Sequence, residues 1–291
     1  MDKIAIVTGA TSGIGKAIAL GLARKGFRVG IVCRNRTRGE AAAAELAGSV
    51  PGAEAEIFLA DLSVLQDVRR VAGELRERYP RVDVLVDNAG AHLLRAKVSA
   101  DGYDRMVATN HLGPFLLTNR LLGVLDETAR IVVVASEAHR FADPFEPADL
   151  AEPGRYGPAG SLRVYGRSKL LNLFFTQELA ERLKGTGITV NAMCPGLVAT
   201  ALARDVPGAG QVGGWLSRTP VLRRPEQGAR MALRLATERR FEGCSGGFYS
   251  STPGARALPG ARTLKDRALQ KAVWERSSHL VGLPGPIVLG R

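Results

Sequence analysis

An α/β fold is predicted for this chain: a single doubly wound domain with a parallel, seven-stranded sheet and helices on both faces. Three observations predict it. Short β-branched apolar runs alternate with stretches of helical periodicity, the first run ends in a glycine-rich turn that opens a helix, and the residues able to do chemistry sit just past the runs. Strands that alternate with helices lie parallel, with both sheet faces covered and the ligand sites at their C-terminal ends. The expected architecture is therefore Rossmann-like.

Taken in order, Ile4-Ala5-Ile6-Val7 is the first strand, and it runs into Thr8-Gly9-Ala10-Thr11-Ser12-Gly13-Ile14-Gly15. Lys16 to Lys25 then has helical periodicity through Ile18, Ala19, Leu22 and Ala23, with Gly26 as its stop. Glycines in such a turn let the backbone approach a phosphate closely, and they leave free N–H groups and the positive end of a helix aimed at the anion. The spacing Gly-x3-Gly-x-Gly differs from the Gly-x-Gly-x-x-Gly fingerprint, so a plain structural turn is the rival reading.

Phe27 to Cys33 is the second strand, and the residues after it bear on the cofactor. A site for NAD places Asp or Glu about 20 residues past the glycine turn, to accept from the ribose 2′-hydroxyl. Here the chain has Arg34-Asn35-Arg36. A guanidinium matches a 2′-phosphate as a bidentate cationic partner, which points to NADP(H). The bland alternative is that Arg34 is a surface residue.

The pattern then repeats. A helix is expected around Arg38 to Ala47, a strand over Glu54 to Ala60 ending at Asp61-Leu62, a helix from Ser63 to Tyr79, and a strand over Val82 to Val86 ending in Asp87-Asn88-Ala89-Gly90. A long helix over Asp101 to Leu125 and a strand over Arg130 to Ala135 follow, then Ser136. The polar, Pro/Gly-rich segment from Ala142 to Gly160 reads as an insertion over the site. The next helix carries Tyr165 and runs to about Lys184; a sixth strand, Ile188 to Met193, leads to Cys194-Pro195-Gly196-Leu197-Val198-Ala199-Thr200. Residues 201–224, with Trp215, read as a loop or lid, and a helix from Pro225 to Thr237 and a strand over Gly247 to Tyr249 complete the count.

Tyr165-Gly166-Arg167-Ser168-Lys169 places a phenol and an ammonium at i and i+4, on one face of a helix. A phenol with its ordinary pKa of about 10 is a poor proton carrier at neutral pH, and a nearby cation favours its ionised form. The pair is thus suited to acid–base chemistry. Alone, Tyr-x3-Lys arises by chance in many helices; its place among the other strand-end residues gives it weight.

Composition narrows the function classes. Hydrophobic residues make up 45% and charged residues 23% of 291 residues, with 34 glycines, as in a globular protein with many tight turns. No apolar run reaches the roughly 18 residues of a membrane span. Met1-Asp2-Lys3 leads straight into the first strand, so a cytoplasmic location is expected. Cys33, Cys194 and Cys244 are widely spaced, with no ligand spacing to histidine, and read as reduced core residues; no metal is expected. Of the net charge of +12, residues 201–291 hold most, with 15 Lys and Arg against 6 Asp and Glu. The excess is scattered and lacks interleaved aromatics, so no nucleic-acid partner is expected, and a solvated Arg-rich surface is preferred over an anionic membrane surface.

Thr8-Gly9-x3-Gly13-x-Gly15, Asp61, Asn88-Ala89-Gly90, Asn110, Ser136, Tyr165-x3-Lys169 and Pro195-Gly196 occur in an order, and on elements, that strongly resemble the short-chain dehydrogenase/reductase superfamily over essentially the whole chain. Asn110 to Thr118, Ser136-Glu137-Ala138-His139-Arg140-Phe141 and Val273-Trp274-Glu275-Arg276-Ser277 resemble its retinol-dehydrogenase-like branch, which includes the WW-domain-containing oxidoreductase; no WW domain is present here. The resemblance implies one such domain over 1–291, with substrate-loop segments about 137–163 and 197–224 and a basic extension about 251–291. It implies that Ser136 binds the substrate oxygen, Tyr165 transfers the proton, Lys169 holds the nicotinamide ribose and lowers the Tyr165 pKa, and Asn110 supports a water relay. By the same resemblance Gly9, Ser12, Ile14 and Gly15 cradle the pyrophosphate; Gly13, Arg34 and Asn35 are further candidate cofactor-binding residues. Asp61 and Leu62 meet the adenine, Asn88 and Ala89 the ribose, and Val198 and Thr200 the nicotinamide amide, with Gly90, Tyr165, Lys169, Pro195 and Gly196 also cofactor-binding. Ala135 stands where many relatives carry a second serine, and Asp87 replaces a commoner Asn. His139 and Trp215 are candidates to line the substrate pocket, or are packing residues.

The expected activity is NADP(H)-dependent interconversion of a carbonyl and an alcohol on a fairly apolar small molecule, with a homo-oligomer left open. Two rivals stand beside it: a cofactor-sensing binding protein that has lost turnover, and a membrane- or partner-docking module that uses the basic C-terminal third.

Overall fold

In the computed structural model, residues 2–198, 223–255 and 262–283 are described. Seven strands form one sheet: β1 Lys3–Thr8, β2 Phe27–Cys33, β3 Ala55–Leu59, β4 Val82–Asp87, β5 Leu125–Val134, β6 Thr189–Cys194 and β7 Phe248–Ser250. Their order is β3-β2-β1-β4-β5-β6-β7 and every pairing is parallel. The order reverses direction between β1 and β4, so the glycine turn after β1 and the Asn88 segment after β4 leave the sheet side by side. Such a switch point is where doubly wound sheets open a ligand crevice.

Both faces are covered, which is why the inner strands read as continuous apolar runs. On one face lie α1 (Gly13–Ala23), α2 (Arg36–Ser49) and α7 (Pro225–Thr237), packed through Ile18, Leu22, Leu46, Ala232 and Leu235 against Val29, Ile31, Val84 and Met193. On the other lie α3 (Leu65–Arg78), α5 (Gly113–Leu121), α6 (Pro158–Arg182) and α8 (Arg267–Leu280), with Val68, Leu75, Phe115, Phe174 and Trp274 in one cluster. Helix α3 shows the pattern plainly, since Leu65, Val68, Val71, Ala72 and Leu75 fall on one stripe and are buried.

Three segments depart from expectation. The long helix predicted over Asp101 to Leu125 is broken: Asp104 caps a single turn, α4 (Arg105–Val107), by accepting from the N–H groups of Met106 and Val107, and a π-helical segment, Ala108–Leu112, leads into α5. Gly113 permits this path, because a Cβ there would run into the Leu62 carbonyl oxygen. Strand β5 begins at Leu125, five residues before its predicted start, with an irregular register between Val82 and Val84 of β4; its exposed residues Glu127 and Thr128 hid it. Within the stretch expected as a basic extension, α8 is part of the core. Trp274 stacks on Phe175, meets Phe115 edge-on and lies under the Arg182 guanidinium. No helix among the described residues is long and apolar enough to cross a membrane.

Candidate active site

The glycine turn is built for close approach. Gly9 and Gly13 have φ of 68° and 56°, in the left-handed region that favours glycine, and a Cβ on Gly15 would strike the Asn88 amide and the Gly9 carbonyl. Ser12 precedes α1 without a side-chain cap bond, so the first-turn N–H groups of α1 keep their donor capacity. Thr8 holds the crevice together: its hydroxyl accepts from the N–H groups of Asn88 and Ala89 at 3.0 and 2.9 Å. The Asn88 amide in turn donates to the Thr8 carbonyl at 2.8 Å. Asn88, expected to meet the ribose, has a structural role here: it clamps the ends of β1 and β4.

At the end of β2, Arg34 is exposed, and its side chain makes no hydrogen bond or ion pair among the described residues. Asn35 is committed elsewhere. Its side chain caps α2, accepting from the Arg38 N–H at 2.9 Å. Asp61 accepts from the Ser63 N–H and hydroxyl and from Arg105. Burial works against this carboxylate, but the Ser63 hydrogen bonds and the guanidiniums of Arg105 and Arg34 hold it below its ordinary range. Leu62 is buried beside it.

The predicted reactive residues converge past the ends of β4 and β5. Asn110 sits in the π-helical segment, where its amide donates to the Ala91 carbonyl and the Ser168 hydroxyl, both at 2.9 Å, and accepts from the Ala91 N–H at 2.7 Å. Such local widening of a helix is frequent at functional sites. A Cβ on Gly90 would lie 3.4 Å from both Asn110 Oδ1 and Lys169 Nζ, so these groups bound one small space. Ser136 follows β5, and its hydroxyl accepts from the Ala138 N–H at 3.1 Å. Lys169 is 3% exposed; its Nζ donates to the Val134 carbonyl at 2.9 Å and lies 5.7 Å from the centre of the Tyr165 ring. Burial pushes its ammonium down to about 8.

At the phenol, burial is the largest influence. Burial pushes Tyr165 well above its ordinary value, Cys194 adds to the rise, and only a hydrogen bond with Ser136 opposes it. Of the pocket candidates, His139 is 1% exposed, with Nδ1 2.8 Å from the Ser136 carbonyl oxygen and its ring edge-on to Phe248. It is a packing residue beneath the strand end, not a pocket wall. Thr200 and Trp215 lie outside the described residues.

Gly196, with φ of 80°, turns the chain past Pro195, and Val198 pairs with Arg223 and lies against Gly228 of α7. Cys194, read as a reduced core residue, is free and buried, and its sulfur also accepts from the N–H groups of Glu137 and Gly196, both at 3.4 Å. One residue here was missed. His92, two residues past Gly90, stacks on Tyr165 at 4.9 Å between ring centres; its position just past a strand end was the available signal. All three cysteines are free, and no group of acidic, histidine or cysteine side chains among the described residues could hold a metal ion.

Comparison with known proteins agrees with this geometry. The family described as short chain dehydrogenase matches residues 3–148, and that described as Enoyl-(Acyl carrier protein) reductase matches residues 154–247. Retinol dehydrogenase 14 of Homo sapiens is 37% identical over 303 residues, covering 97% of this chain and 87% of its own. Dehydrogenase/reductase SDR family member 13 of Bos taurus is 40% identical over 293 residues, covering 98% and 74%. Among solved structures, an uncharacterized protein from Mycobacterium paratuberculosis superposes with a TM-score of 0.75 at 31% identity, over 96% of this chain and 93% of its own. A variant of the actinorhodin polyketide ketoreductase with NADPH gives a TM-score of 0.68 at 27% identity, over 87% and 97%. With the parallel sheet, the glycine turn at its switch point and this degree of likeness over nearly the whole length, the chain belongs to the short-chain dehydrogenase family of oxidoreductases.

Proposed function

We propose that the protein is an NADP(H)-dependent oxidoreductase that interconverts a carbonyl and an alcohol on a fairly apolar small molecule, with Tyr165 as the proton carrier. The observation that carries this reading is the convergence of Ser136, Tyr165, Lys169 and Asn110 on one side of the sheet, next to the glycine crevice. The chain's own groups fit a dinucleotide: Gly9 and Gly15 let the turn close on Asn88 and Ala89 where a Cβ would clash, Gly13 takes a φ of 56°, and the start of α1 offers N–H donors to a pyrophosphate. The bound nicotinamide would supply or accept the hydride.

In this reading the Ser136 hydroxyl holds the substrate oxygen, and Tyr165 gives that oxygen a proton in reduction or takes one in oxidation. Lys169 holds the ribose hydroxyls and, as an ammonium below about 8, brings positive charge to the site. Asn110 keeps the Ala91 backbone in place and links to the helix of Tyr165 through Ser168. Arg34, exposed at the end of β2, supports the reading of a 2′-phosphate on the cofactor. Three of the four exposed large hydrophobics among the described residues, Phe141, Leu162 and Leu197, follow Ser136, precede Tyr165 and follow Gly196 closely in the chain, which favours an apolar substrate. The names of the relatives, retinol dehydrogenases and a ketoreductase, favour the same class. A screen of aldehydes, ketones and alcohols with NADPH or NADP, followed at the nicotinamide absorbance, tests it. Turnover of at least one apolar carbonyl is expected; no turnover across the panel with cofactor bound would favour a cofactor-sensing protein instead.

A further inference from the structure

His92 lies on the loop that leaves β4, yet it grips the helix of Tyr165 at two points. Its ring lies over the Tyr165 ring, with centres 4.9 Å apart and planes inclined by 30°, and its Nε2 is 3.1 Å from the Ser161 hydroxyl oxygen. Ser161, Tyr165 and Lys169 follow each other at steps of four on α6, so they share one face of that helix. The direction of the histidine bond follows from the neighbouring one. Ser161 donates its single hydroxyl proton to the Pro158 carbonyl at 2.8 Å, so its oxygen accepts from His92, and Nε2 carries the proton. Burial holds the imidazole below its ordinary value, which keeps the ring neutral at pH 7.

A tyrosine that transfers a proton must keep its hydroxyl within hydrogen-bond reach of both its partner and the substrate oxygen, and small misplacements are costly. We propose that His92 is a positioning residue for Tyr165: anchored to Ser161 through Nε2–H, its ring fixes the plane of the phenol so that the hydroxyl faces Ser136. The inference rests on the reading of Tyr165 as the proton carrier.

The test compares His92→Ala, His92→Phe, Ser161→Ala and Tyr165→Phe, using NADPH and a carbonyl compound that the wild-type enzyme reduces in the screen. His92→Ala should lower kcat by about 10-fold or more, with KM and the NADPH Kd nearly unchanged, because the defect lies in alignment and not in binding. His92→Phe keeps the ring and should recover kcat to within roughly threefold of wild type, with Ser161→Ala falling between. Independently of turnover, nitrogen shifts of labelled histidine should show Nε2 protonated, and the His92 ring protons should lose an aromatic ring-current shift in Tyr165→Leu. Wild-type kcat in His92→Ala, equal loss in His92→Ala and His92→Phe, a rise in KM alone, or a proton on Nδ1 would overturn the proposal. If Tyr165→Phe is inactive while His92→Ala is normal, only this inference fails; an active Tyr165→Phe removes the proton-carrier reading and this one with it.

Discussion

Replacing Asp87 by asparagine should change how the stability of this protein depends on pH. The Asp87 side chain ends β4 fully inside the protein, where Oδ2 accepts from the Thr118 hydroxyl at 2.7 Å and Oδ1 has no partner among the described residues. Burial raises its carboxyl from the ordinary 3.8 to about 7, with the Thr118 bond as the only opposing effect. Between those two values the folded protein binds a proton that the unfolded chain has released. The stability contributed by this group is therefore complete below 3.8 and is lost as pH rises toward 7. At about 1.4 kcal/mol per pH unit the whole loss is roughly 4 kcal/mol, and the part between pH 5 and 8 is roughly 3 kcal/mol.

Asparagine has nearly the same shape and never ionises, so Asp87→Asn removes this slope. Its amide N–H groups need acceptors, a cost of about 1 to 3 kcal/mol that is independent of pH and only offsets the curve. Buried His111 and His139 and half-buried His92, all with lowered values, give slopes of the opposite sign, and Asp104 one of the same sign; these are common to both proteins and cancel in the difference. Urea unfolding of both proteins from pH 5 to 8 gives the difference directly. The variant should gain on the wild type by roughly 3 kcal/mol across that range. A flat difference would refute the reasoning, because it would mean that Asp87 is ionised, or protonated, throughout.

Arg34→Asp should invert a preference for NADPH over NADH, since a charged hydrogen-bonded pair is worth about 1.5 to 3 kcal/mol, or roughly 10 to 150-fold; a variant that still favours NADPH would show that the phosphate is read elsewhere. Lys169→Met should weaken NADPH binding and raise the pH at which oxidation appears. In the wild type, affinity for NADPH should fall as pH passes about 8, where the ammonium is lost, and Lys169→Met should lack that fall; identical binding profiles would assign Lys169 no part in the cofactor site. Trp274→Ala should cost about 3 to 5 kcal/mol in unfolding free energy, because the indole is 4% exposed and packed on Phe175 and Phe115. A loss below about 1 kcal/mol would mean that α8 contributes little to the core.

Most of the sheet was legible because a buried parallel strand is a largely apolar run: β1 is unbroken from Ile4 to Val7, and β2, β4 and β6 are interrupted by Arg28, Asp83 and Asn191. Helix α8 does not announce itself in the same way. Its buried residues, Gln270, Val273, Trp274 and Ser277, fall on a helical stripe, but two of the four are polar and are satisfied by distant partners, Gln177 and His111. The break of the predicted 101–125 helix depends on Asp104 as a cap and on the approach of Gly113 to Leu62, neither of which local periodicity contains. At the site, the Tyr165-x3-Lys169 spacing was readable in the sequence itself, while Asn110 and Ser136 were singled out by the family resemblance. The electrostatics of these groups were not readable. The burial that raises the phenol and lowers the ammonium comes from elements far apart in the chain, and the Val134 carbonyl that accepts from Lys169 is 35 residues away. Asn35 shows the same limit, since its position suggested a ligand while its side chain serves the helix that follows.

The central claim is that the Tyr165 hydroxyl carries the proton, and Tyr165→Phe tests it most directly because the ring, its stacking on His92 and its burial are kept while one oxygen is removed. Steady-state turnover of the variant, measured at saturating NADPH alongside the NADPH Kd, should show kcat lowered by about 10² to 10⁴-fold with cofactor affinity within a few-fold of wild type. Retention of more than about a tenth of wild-type kcat, with cofactor bound normally, would contradict the account.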